Sequence, residues 1–197
     1  MAGRRDESVQ RIVFAGIMAA LCYVGYAVFP AISVSGTKVH VGNAFVILAA
    51  LVLGGLYGGL AGAVGLTLAD ILGGFVPSAP RTFICKLVIG LIVGLFAHKI
   101  AHLREPHPHK YVVKWTVIAS AAAMLVNCIF EPALKYVWYT LLFPDPNKAA
   151  DSIRALMAIT TVTTMINAVI NATIAVLLYL PLRPVFRRLG LMPEEKE

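Results

Sequence analysis

Long apolar runs separated by short polar breaks dominate this chain. Six segments, at about 12–30, 42–56, 58–76, 82–99, 113–136 and 155–181, are apolar along most of their length and carry few charges. None alternates with the period of two that marks a half-buried strand, and most approach the roughly 20 apolar residues a helix needs to cross a bilayer. Within hydrocarbon an unpaired amide finds no water, so a backbone that bonds to itself is the physical default. The pattern predicts an all-α membrane protein, a six transmembrane helix bundle forming one domain over residues 1–197. Between the second and third segments the only break is GGLYGG (54–59), a turn with almost no loop. Gly54, Gly58 and Gly62, then Ala61, Gly65, Ala69 and Gly73, repeat every fourth residue, as do Gly90 and Gly94. That spacing predicts close helix–helix approach.

Composition supports the membrane assignment: 59% of residues are hydrophobic, against roughly 45–50% in soluble domains. The mean hydropathy is +0.80. The net charge of +7 is informative mainly by position. With both termini cytoplasmic, the inner segments hold eleven Lys and Arg residues and the outer segments six, which fits the positive-inside rule. The basic residues are scattered over helix ends and do not interleave with aromatics, so no nucleic-acid partner is expected. Arg4, Arg5 and Arg11 precede the first apolar run as in a signal peptide, but no small-residue cleavage site follows, so that run reads as a retained span. Cys22, Cys85 and Cys128 each sit in apolar sequence and read as small buried hydrophobes.

Polar residues inside the segments are few, and a charge at mid-bilayer costs about 2.5–3.5 kcal/mol on insertion scales. Asn127, Glu131 and Lys135 follow one another at four-residue steps, while Thr160, Thr164, Asn167 and Asn171 form a second single-faced stripe. Lys86 shares a face with Gly90 and Gly94. In the six-span topology Asp70, Lys86, Asn127, Glu131 and Thr160–Asn167 all fall in the outer half, leaving the inner half nearly aliphatic. That layout predicts a pocket open to the outside and closed below. Structural roles compete with binding at each position: an Asp70–Lys86 ion pair, a Glu131–Lys135 pair along one helix, and Asn127 or Asn171 as interhelical bonds. Tyr136, Trp138 and Tyr139 suit either an interfacial belt or a wall against a planar ligand. His98, His102, His107 and His109 lie in or near REPHPHK (104–110), which reads as a solvated loop with no metal site. No phosphate-binding GxxxxGK[ST] loop and no catalytic GxSxG or HExxH motif is present. The chain is therefore expected to bind without catalysis, to need no cofactor, and to draw any energy from partners.

Four stretches carry a resemblance that spans nearly the whole chain. AGIMA (15–19), VHVGNAF (39–45), LGGLYGGLAGAVGLTLADILGG (53–74) and PRTFICKLVIG (80–90), in that order, resemble the substrate-binding S component of energy-coupling factor (ECF) vitamin transporters. The similarity is greatest to the branch associated with riboflavin or hydroxymethylpyrimidine-like substrates. It implies a subunit of the bacterial plasma membrane that captures a vitamin from outside. Its partners would be a membrane coupling subunit and two ATPase subunits that together complete the importer. It further implies docking through Ala15 and Ala19, and a lid at about 31–40. With the polar stripes, the expected ligand contacts are Lys86, Asn127, Glu131 and Asn167, with Asn43 and Asn171 secondary and Asp70 supporting Lys86. A riboflavin-like vitamin is the first expectation, another B-type vitamin or a pyrimidine the next. The competing reading is an autonomous proton-coupled carrier using Asp70, Glu131 and Lys86 as a relay.

Overall fold

The computed structural model describes residues 2–27, 32–34, 37–142 and 150–192. Helix α1 spans Ala2–Ala27. A short antiparallel hairpin follows, β1 Ile32–Val34 and β2 Thr37–Val39, with Ile32 opposite Val39 and Val34 opposite Thr37. Helices α2 (Gly42–Leu53) and α3 (Gly55–Leu72) come next. A 3-10 turn, Val76–Ser78, leads into α4 (Ala79–Gly94), which runs on as a π-helical segment, Leu95–Ile100. Helix α5 (His109–Val137) also ends in a π-helical segment, Trp138–Leu142, and α6 covers Ala150–Arg188. Five helical stretches are long and apolar enough to cross a membrane, and Gly42–Leu53 is a shorter apolar helix. The hairpin is the departure from the all-α expectation, and the tip of the expected lid, with residue 31, lies outside the described residues.

α2 organises the rest. Of its 12 residues only Phe45 is not buried, because α1, α3, α4 and α6 all pack around it. A helix apolar on every side is stable only when every side is covered. At 1.5 Å per residue it is about 18 Å long, well short of a ~30 Å hydrocarbon slab. The bundle therefore has a solid core along α2 and a different filling above its first turn, where the hairpin sits.

The predicted small-residue seams are present, and they determine how the neighbours fit. A Cβ on Gly90 would lie 2.2 Å from the Gly59 Cα, one on Gly94 2.4 Å from the Gly55 Cα, and one on Gly58 2.3 Å from the Ala50 Cα. So α3 meets α4 and α2 backbone to backbone, where dispersion and Cα–H···O contacts supply the attraction. Gly54 makes the α2–α3 reversal possible with φ +97, a conformation that side-chain-bearing residues rarely adopt.

The far end of the bundle is more polar than the sequence suggests. Thr116, Ser120 and Tyr179 are fully buried there. His98 Nε2 lies 2.9 Å from the Ala50 carbonyl. The Arg183 guanidinium donates to the Leu103 and Glu105 carbonyls at 3.1 and 3.3 Å, tying α6 to the α4–α5 loop. The nearly aliphatic inner half is thus corrected: carbonyls at a helix end and in a loop need donors, and these long side chains supply them.

Candidate functional site

At the hairpin end, above the first turn of α2, side chains from six elements surround a polar pocket. Its lining is Tyr26 of α1, Lys38 of β2, His40, Leu66 and Asp70 of α3, Phe75, Ser78, Arg81, Thr82 and Lys86 around the start of α4, and Glu131 and Lys135 of α5. The apolar core that Leu66 belongs to also holds Val46, Ile47, Ile89 and Met124, all at most 2% exposed. The floor holds about 60 Å³ of free volume, room for a few waters. It opens into a wider vestibule of about 660 Å³ between α5 and α6, lined by Tyr139, Ile153, Leu156 and Ile159 and sharing Phe75, Ser78, Arg81 and Lys135 with the floor. The vestibule lies in the size range of small-molecule sites, whereas the floor alone would admit only an edge or a substituent.

The charged groups are arranged in two separate systems. Lys86 pairs with Glu131 at 3.7 Å, and Asn127 Nδ2 donates to the same carboxylate at 3.0 Å. Asp70 instead accepts from three hydroxyls, Tyr26 at 2.8 Å, Thr82 at 2.5 Å and Ser78 at 3.2 Å. The expected Asp70–Lys86 support is therefore replaced: α3 and α4 are joined at this level by Asp70 with Ser78 and Thr82, and Lys86 reaches across to α5. The Glu131–Lys135 alternative gives way as well, since the Lys135 ammonium donates to the Thr160 hydroxyl at 2.8 Å. A carboxylate among three hydroxyls is satisfied by hydrogen bonding without a counter-ion.

Asn167 and Asn171 act on backbone. The Asn167 amide accepts from the His40 N–H at 3.0 Å and donates to the Lys38 carbonyl at 2.9 Å. One turn further, Asn171 accepts from the Ala44 N–H at 2.8 Å and donates to the His40 carbonyl at 2.9 Å. Two side chains of α6 thereby clamp the polypeptide from β2 to the first turn of α2, offering the pairing that a neighbouring strand would give. Neither lines the pocket, nor does Asn43, which is 1% exposed.

The clamp presents His40, a residue that the sequence reading places only within the lid and a family motif. Its Nδ1 accepts from the Gly42 N–H at 3.1 Å, and its ring meets Tyr26 edge-on at 4.8 Å. Burial, reinforced by the Lys86 charge, pushes the imidazole down to about 3, so the ring is neutral. With Nδ1 serving as acceptor, the proton is on Nε2. Lys38 stands over the rings of Tyr26 and Phe75 at 4.8 and 4.7 Å, and Arg81 over Tyr139 at 5.9 Å. Of the aromatic run after Lys135, it is Tyr139 that lines the vestibule. Of the predicted contacts, then, Lys86 and Glu131 line the pocket, Asn127 reaches it through Glu131, and Asn167, Asn171 and Asn43 lie behind its wall.

On α1, Ala15 and Ala19 are half-buried, and a Cβ on Gly65 would lie 2.2 Å from the Ala19 carbonyl oxygen, so that edge packs on α3. Ile12, Gly16, Ile17, Ala20 and Val24 form the exposed side of the same helix.

The sequence matches the family described as ECF-type riboflavin transporter, S component, over residues 6–184. The chain belongs to that family. No curated protein and no solved structure matches it. As an ECF S component it is a multi-pass protein of the bacterial cell membrane and a substrate-capture subunit for vitamin uptake. Such subunits work with an ECF coupling and ATPase module and are typically non-catalytic.

Proposed function

We propose that this S component captures a riboflavin-like vitamin from outside the cell in the pocket at the hairpin end. The observation that carries the reading is the convergence of charged and hydrogen-bonding groups from α1, β2, α3, α4 and α5 on one pocket over an apolar core. Such groups are costly in hydrocarbon and are retained where a polar ligand uses them. In this reading six helices span the membrane, the short α2 crossing with the help of the hairpin above it, and both termini are cytoplasmic. A planar ring system enters through the vestibule past Tyr139 and presents its polar edge to Lys86 and Glu131, which Asn127 orients. Asn167, Asn171 and Asn43 contribute by fixing the wall. Release follows docking on the coupling subunit, with Ala15 and Ala19 at the edge of the α1 docking face.

Flavin fluorescence quenching on the purified chain in mild detergent tests this directly. Riboflavin should bind, and Lys86→Ala and Glu131→Ala should each weaken it by at least about tenfold, the scale of one charge-assisted hydrogen bond. Unchanged affinity in both variants would overturn the site. Uptake in cells lacking the coupling and ATPase subunits would instead favour an autonomous carrier.

A further inference from the structure

The pocket holds more positive charge than its own carboxylates offset. Four cations line it, Lys38, Arg81, Lys86 and Lys135, against Asp70 and Glu131. Glu131 is committed to Lys86 and Asn127, and Asp70 to three hydroxyls. Among the described residues Lys38 and Arg81 face aromatic rings and no carboxylate lies within ion-pair distance of either. A ring face attracts a cation without neutralising it. Arg81 Nη1 is moreover buried with no hydrogen-bond acceptor, as is Arg104 Nε at the far end of the bundle, and of the two only Arg81 lines this pocket. Arg81 stands where the floor joins the vestibule, since it lines both. His40, which lines the same pocket, offers Nε2–H as another donor. Both carboxylates of the lining are already engaged, and the cations without a counter-ion leave room for an anion.

Resting on the capture reading, we propose that the ligand is anionic, with a phosphate or carboxylate group seated at the floor–vestibule junction on Arg81 and Lys38 and a ring acceptor on His40 Nε2–H. A fork of guanidinium donors suits a tetrahedral or planar oxyanion. For the riboflavin-like class this predicts preference for the phosphorylated over the neutral form of the vitamin.

The experiment compares riboflavin with riboflavin 5′-phosphate on the full chain in neutral detergent, by fluorescence quenching at low and high salt. The phosphate ester should bind at least about tenfold more tightly, since a charge-assisted pair is roughly twice as strong as a neutral one. Arg81→Gln should collapse the ratio of the two affinities, and Arg81→Lys should restore part of it. If Arg81→Gln does not fold, the ratio in the unaltered chain and Lys38→Gln decide. Equal binding, or tighter binding of riboflavin, overturns the anionic ligand and leaves vitamin capture standing. Binding of neither flavin overturns both.

Discussion

Replacing Asn171 with alanine separates a clamp from a ligand contact. The side chain is fully buried. It accepts from the Ala44 N–H at 2.8 Å and donates to the His40 and Asn167 carbonyls at 2.9 and 2.8 Å. In Asn171→Ala the Ala44 N–H keeps a 3.1 Å bond to the Val41 carbonyl, but the His40 carbonyl loses its amide donor. One orphaned buried carbonyl costs about 1–3 kcal/mol. The lost interhelical bonds add roughly 0.6 kcal/mol each, as in other helical membrane proteins. A total of about 2–4 kcal/mol would lower the apparent Tm of a chain this size by roughly 5–15 °C. The assay is thermal unfolding in detergent without any ligand, followed by riboflavin titration. A clamp predicts that ligand-free Tm drops and that affinity drops with it, because His40 is no longer held at the pocket wall. Weaker binding with an unchanged ligand-free Tm would refute this reasoning and return Asn171 to the ligand.

Two other outcomes follow from the same structure. Gly90→Val should abolish folded, monodisperse protein on size-exclusion chromatography, because its Cβ would fall 2.2 Å from the Gly59 Cα, whereas Gly16→Ala, with nothing within 4 Å, should leave the yield unchanged. His40 is held down at about 3 by burial and then by Lys86, against about 6.5 in an unfolded chain. Between those values the unfolded state binds more protons, so the stability due to this group rises with pH through that window and is fully present above about 6.5. Melting temperature should therefore fall as pH is lowered from 7 towards 4, and His40→Gln should flatten the slope; an equal slope in the variant would refute the assignment.

Helix number and order, the glycine seams and the polar groups at the hairpin end were legible in the chain itself, whereas the polar far end was not. The causes are local and periodic: apolar length fixes a span, a four-residue repeat fixes a face, and glycine at that repeat permits close approach. Which polar group meets which was not legible. From Asp70 and Lys86 on sequential helices, an ion pair is the economical guess. Only the packed bundle shows that Tyr26, Ser78 and Thr82 reach Asp70 first and that Lys86 is turned towards Glu131, 45 residues further along the chain. Likewise Asn167 and Asn171 show one polar face in the sequence, and nothing there says whether a ligand or a backbone will occupy it. Their partners lie about 130 residues away, on the stretch from β2 to the first turn of α2. Sequence determined what each helix must bury. The tertiary structure alone decided which of the buried polar groups satisfy one another.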